Sequence, residues 1–308
     1  MAEPKIRIVA KKVTLGEGPH WDEKKQALYY VDIKGHCFHK YTPSNEKVTT
    51  CNFPDGTVSL VVPLKDTENK FVVSHNRKIV IVTWDGVSNQ PSNIEEICEV
   101  DTEDAILTNR INDGKCDPYG RLYAGTMGHE PKIGQIEHGI GSLYLFDLKK
   151  RNAKKLLSNI TIANGAAWDL SLNKMYYIDT LTHHVEQFDY DAQTGNISNR
   201  QVVFDFEEHK IPGNLPDGMT IDTEGCLWVC CFNGGRILRI DPRTGKLLRT
   251  ITFDALQTTS AAFGGPNLDI LYVTSAALEG ESKNPKAGCV FEVTGLGVKG
   301  FPGDKAVL

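Results

Sequence analysis

A chain of 308 residues with 40% hydrophobic and 24% charged residues carries enough apolar surface for a large core and reads as a soluble globular protein. Its net charge is −5 and its Lys and Arg residues are scattered, which argues against a nucleic-acid partner. No stretch approaches the length needed to span a bilayer, and the opening MAEPKIRIVAKK has no apolar targeting region; a cytoplasmic protein without a membrane partner is expected.

The first predicted element is a strand, KIRIVA, with no partner close to it in sequence. Beyond it, helical periodicity is nearly absent, and short apolar runs are broken by Gly, Pro, Asn and Asp. Six runs form a series: LYYVD at 28, FVVS at 71, LYAG at 122, MYYID at 175, LWVCC at 227 and LYVTS at 271. Their spacing of 43 to 53 residues suits a four-stranded blade plus loops. The expected fold is therefore all-β, one six-bladed β-propeller spanning residues 1–308. KIRIVA is expected to pair with the last blade around CVFEVTG, because an open propeller edge would invite aggregation.

Between the runs lie the expected turns. Asp117-Pro-Tyr-Gly120 and Asp222-Thr-Glu-Gly225 precede marker strands, and charged hairpins such as QFDYDAQTGNI and LRIDPRTGKLL follow them. Asp189, Asp191 and Gly195 imitate part of a calcium loop, but the closing Glu is missing. The same D-x-x-T-G returns at Asp241–Gly245, so both are read as hairpin turns. The eight cysteines form no C-x-x-C pair and are expected to be reduced and buried, with Cys230 and Cys231 pointing to opposite faces of one strand.

Counting back ten to twelve residues from each marker strand gives one equivalent position per blade: Glu17, Ser59, Asn112, Asn164, Asp217 and Ser260. All six offer oxygen, and a propeller gathers the ends of its innermost strands around a central channel. Asn and Asp at such positions can simply cap strands. Two carboxylates converging with an amide, however, repel each other unless a cation or proton intervenes. Glu17, Asn164 and Asp217 are therefore candidate ligands for one divalent metal ion. Ca²⁺, Mg²⁺ or Mn²⁺ suits an all-oxygen set, and Zn²⁺ can occupy one. Arg110, two residues before Asn112, should share its face and could hydrogen-bond a polyhydroxylated or carboxylate ligand, the alternative being a surface loop. Asp113, beside Gly114, is read as a turn former.

Three other signals are set aside. Gly295-Leu-Gly-Val-Lys-Gly300 matches a dinucleotide fingerprint without a following helix. His183-His184 lacks an acidic partner at ligand spacing and is read as a surface hairpin. No G-x-S-x-G elbow supports a serine nucleophile.

The motifs GEGPHWD, NRINDGKCDPYGRLYAGTM, ANGAAWD, DYDAQTGNISNR, PDGMTIDTEGCLWV, NGGRILRIDPRTGK and VTGLGVKG resemble the regucalcin (senescence marker protein 30) family, which includes gluconolactonases and insect luciferin-regenerating enzymes. The resemblance runs from about residue 14 to residue 303. It implies a six-bladed propeller, a single divalent metal and lactone hydrolysis. It places the metal on Glu17, Asn164 and Asp217 and the substrate on Arg110, Asn112 and Glu130; Asp217 is further expected to be catalytic, as general base toward a metal-bound water. The segment around Glu130, GHEPKIGQIEHGIG, departs from the animal regucalcin pattern, and its Gly-rich character suits a lid. A small-molecule substrate and a monomer or weak dimer are expected. Alternatives of the same descent are an enzyme acting on oxyluciferin and a non-enzymatic calcium-binding regulator.

Overall fold

The computed structural model describes residues 3–132, 134–211 and 215–308. Twenty-three of its strands follow one another in six blades, and the N-terminal strand completes the last of them. Blade 1 begins at Gly16, blade 2 at Val61, blade 3 at Arg110, blade 4 at Ala163, blade 5 at Leu215 and blade 6 at Thr258. Every blade is a four-stranded antiparallel sheet, and the six marker runs are its second strands. The strand Lys5–Ala10 pairs antiparallel with Val290–Thr294, so the ring closes as expected.

Each blade interface has its own core, because the marker strands are buried on both faces. In blade 1, Tyr29 and Val31 pack with Phe71 and Val73 of blade 2, whereas Leu28 and Tyr30 pack with Tyr272 of blade 6. Side-chain alternation along one strand thus joins three blades. Cys231 and Cys230 divide in the same way between two interfaces, and all eight cysteines are free. Fully burying one such aromatic or aliphatic side chain contributes about 1.5–3 kcal/mol, so the ring is held by many equivalent contacts.

The turns that follow the innermost strands are fastened by buried aspartates. Asp117 accepts from the Tyr119 and Arg121 N–H groups (2.9 and 3.0 Å), Arg121 Nε (2.7 Å) and the Tyr190 hydroxyl (2.7 Å) of blade 4. Asp222 accepts from the Glu224 and Cys226 N–H groups (both 3.0 Å), Trp228 Nε1 (2.9 Å) and Arg239 Nε (2.7 Å). The D-x-x-T-G segments are hairpin turns, with the Gly195 N–H donating to Asp191 O at 2.7 Å. The two histidines share no strand. His183 has a left-handed backbone after a 3-10 turn, and His184 begins the next strand with Nε2 3.3 Å from Asp205.

The C-terminal segment forms a strap across this turn end of the ring. Lys299 O accepts from Thr223 N–H (2.8 Å), and the Gly300 and Gly303 N–H groups donate to Leu268 O and Trp21 O (2.8 and 3.2 Å). Further along, the Ala306 and Val307 N–H groups donate to Pro63 O and Gly120 O (3.0 and 2.9 Å). These bonds reach blades 5, 6, 1, 2 and 3 in turn, a second closure beyond the paired N-terminal strand. Among the described residues, no helix is long and apolar enough to cross a membrane.

Candidate active site

The innermost strands begin at the opposite end of the ring, and there the axial residues gather. In five blades the pairing with the second strand shifts register at or beside the axial position: Glu17/His20, Ile111/Asp113, Asn164/Ala166, Pro216/Met219 and Thr258/Ala261. Such bulges bend a strand and re-aim its side chains, and they recur where a site is built. Blade-to-blade approach is close at this point. A Cβ on Gly165 would lie 2.7 Å from Asp217 O and Met219 N, so the glycine lets blades 4 and 5 meet.

Glu17, Asn164 and Asp217 are all buried, at 6–7% exposure. Burial, followed by the charges of Asp217 and Asp113, holds the Glu17 carboxyl well above the usual range, although Gly18 N–H donates to Oε2 at 3.0 Å. Burial and Asp113 likewise raise Asp217, against hydrogen bonds from the Asn164 amide and Gly218 N–H. Asn164 Nδ2 donates to Thr180 Oγ1 at 2.9 Å, which fixes the amide, and its Oδ1 is buried without a partner. An unsatisfied buried acceptor beside two mutually repelling carboxylates is costly in isolation and is what a hard cation would satisfy. Among the described residues, no three His, Cys, Asp or Glu side chains group around a possible metal position. The fit therefore depends on the Asn164 amide as the third arm.

Asp113 corrects the sequence reading. It is no turn former: it lies in the innermost strand Arg110–Cys116 opposite Gly125, and its charge acts on both Glu17 and Asp217. The bulge at Asn112 is the reason, since it breaks the alternation that would have turned Asp113 away from the axis. The blade 2 register also differs. Ser59 pairs with Ser74 (2.8 Å) and donates to Ile111 O (2.7 Å), as Thr259 pairs with Thr274 (2.8 Å) and donates to Gly16 O (2.6 Å). Ser59 thus matches Thr259, a link between blades, and Leu60 stands where Ser260 does.

On blade 3, Asn112 Nδ2 donates to Ala163 O at 2.8 Å, which leaves its carbonyl as the free end. Arg110 is half-buried with Nη1 3.1 Å from Ile111 O. Desolvation lowers its pKa to about 10, while Glu130 and Glu17 pull it upward. Glu130 therefore lies within electrostatic reach of Arg110, and its carboxylate accepts from Gly134 N–H at 3.0 Å. His129 is exposed. Ile133 of the expected lid lies outside the described residues. Two groups that sequence reasoning did not place at the site complete the surroundings. Lys115 lies beside Asp113 and donates to Met219 O at 2.6 Å, and Cys230 is within reach of Asp217, Glu17 and Lys115. The i, i+2 spacing of Asp113 and Lys115 was the available signal for the lysine.

Residues 15–277 match the family model described as SMP-30/Gluconolactonase/LRE-like region. Regucalcin of Danio rerio is 39% identical over 307 residues, covering 98% of each chain, and regucalcin of Oryctolagus cuniculus is 40% identical over 299 residues, covering 96% of this chain and 95% of the relative. Among solved structures, a luciferin-regenerating enzyme superposes with a TM-score of 0.93 at 47% identity, covering 99% of this chain and 100% of its own. A structure of regucalcin from Agrobacterium tumefaciens, described as a calcium-binding protein, superposes at 0.86 with 26% identity, covering 99% and 98%. The chain belongs to the SMP-30/gluconolactonase/LRE-like family.

Proposed function

We propose that this protein is a divalent-cation-dependent hydrolase that opens sugar lactones. The observation that carries the reading is the unpartnered Asn164 Oδ1 set among the buried carboxylates of Glu17 and Asp217, an arrangement that repels itself until a cation joins it. Glu17, Asn164 and Asp217 would hold that ion. When bound, it supplies polarisation of the lactone carbonyl and a water of lowered pKa. Asp217 takes the proton from the attacking water, helped by Asp113, whose negative charge raises the basicity of its neighbour, and returns it to the ring oxygen as the acyl C–O bond breaks. Arg110 and the free carbonyl of Asn112 orient the ring hydroxyls, and the guanidinium supports negative charge as it develops on the acyl oxygen. Glu130, opposite Arg110, presents a second acceptor for hydroxyl groups at the mouth.

A second reading has its own support. The luciferin-regenerating enzyme is 47% identical, above the identities of the regucalcins of Danio rerio and Oryctolagus cuniculus, so an oxyluciferin-like thiazolone is the alternative substrate. A purely calcium-binding regulator has less behind it, because three protein ligands make a weak calcium site. Hydrolysis of gluconolactone and turnover of oxyluciferin, assayed on one metal-loaded preparation, separate the readings. Lactone turnover lost on chelation supports the hydrolase. Oxyluciferin turnover alone selects the second reading, and cation binding without turnover of either selects the regulator.

A further inference from the structure

Below the axial carboxylates the channel opens again. A cavity of about 680 Å³ begins at Pro19, Lys115 and Ala166, two or three positions past the axial residues, and reaches the strap at Phe301–Asp304. That volume is typical of small-molecule sites. Lys115 separates the two ends, with Asp113 and Glu17 on one side and Asp304 on the other acting on its ammonium.

The chemistry of the lower chamber differs from that of the upper mouth. Its walls include Trp168 of blade 4, Phe263 of blade 6 and Phe301 of the strap. Trp168 and His20 are each only 6% exposed, and neither Trp168 Nε1 nor His20 Nε2 has a hydrogen-bond partner among the described residues. Burial lowers the His20 pKa to about 3, so its imidazole is neutral. Four carboxylates (Asp169, Asp222, Glu224, Asp304) face the chamber against two cationic side chains, Lys115 and Arg243. Asp222 and Glu224 are paired with Arg239, and Arg243 is paired with Asp241. Asp169 is held by its own turn, through the Ser171 and Leu172 N–H groups. Asp304, by contrast, is half-buried and has no hydrogen bond or ion pair among the described residues, the Lys115 charge reaching it without contact. An unpaired carboxylate in an aromatic-walled chamber attracts an organic cation, through its charge and through the faces of the rings.

We propose that the lower chamber is a second ligand site that takes a small organic ammonium ion with an aromatic body, its ammonium at Asp304 and its ring against Trp168 and Phe301. The assignment is independent of the lactonase reading. Phenethylammonium and the matched anion 3-phenylpropionate serve as probes, followed by Trp fluorescence and saturation-transfer NMR on wild type, Asp304→Asn, Phe301→Ala and Asp217→Asn. Phenethylammonium should bind the wild type, bind at least fivefold more weakly to Asp304→Asn and Phe301→Ala, and bind Asp217→Asn unchanged. Phe301 is 53% exposed, so its variant folds even if the Asp304 change disturbs the strap. The proposal falls if phenethylammonium does not bind, if 3-phenylpropionate binds as tightly, if both lower-chamber variants keep wild-type affinity, or if Asp217→Asn loses the probe.

Discussion

Two sets of buried carboxylates in this ring have the same chemistry and opposite surroundings. Asp117 and Asp222, each fully buried, are surrounded by donors: turn N–H groups, an arginine, and a tyrosine hydroxyl or tryptophan N–H. Glu17 and Asp217 are nearly as buried, yet face each other and Asp113 with few donors between them. The first set neutralises itself and closes a turn. The second keeps its negative charge unneutralised by donors, which costs folding stability and is the ground of the proposed cation site.

The contrast can be tested from its strongest consequence downward. Asp217→Asn should cut lactone turnover by on the order of 10²–10⁴-fold, the usual contribution of a general base, while raising the melting temperature of the metal-free protein. A fall in both would place Asp217 with the structural set. Asp222→Ala should do the reverse. It strands Trp228 Nε1 in the interior and takes from Arg239 its buried partner, leaving only the exposed Glu224, at a cost of about 3–5 kcal/mol in urea unfolding. Arg110→Ala should raise KM about tenfold or more with a smaller change in kcat, as expected for the loss of a charged hydrogen bond.

Asp304 lies between the two classes, half-buried and without a contact partner, and burial raises its pKa to about 6 against the more distant charge of Lys115. A carboxyl whose folded pKa is raised stabilises the fold below its unfolded pKa near 3.8, and that contribution is lost as pH rises through about 6. Asp304→Asn should therefore match the wild-type melting temperature near pH 4 and exceed it at pH 7. Equal values at both would show that Asp304 has a partner. The smallest effect belongs to Asp191→Asn at an exposed hairpin tip, which should change stability by less than about 0.5 kcal/mol and leave cation stoichiometry unaltered.

The fold was legible because a propeller repeats itself: six runs at near-equal spacing announce blades, and one orphan strand announces its partner. The axial placement of Glu17, Asn164 and Asp217 was legible for the same reason, as equivalent positions in that repeat. What escaped lay where the repeat breaks. The bulge at Asn112 turned Asp113 inward, and blade 2 slipped by one residue so that Ser59 became a link between blades. The lower chamber was hidden for a different reason. It is made by a C-terminal strap whose contacts with five blades follow no local pattern.

The most direct test of the axial site is calorimetric titration of chelator-stripped protein with Ca²⁺, Mn²⁺ and Zn²⁺, wild type beside Glu17→Gln. One cation per chain in the wild type, with the heat abolished or strongly weakened in Glu17→Gln, is the predicted result. No binding of any of the three, or identical isotherms for the two proteins, would contradict it.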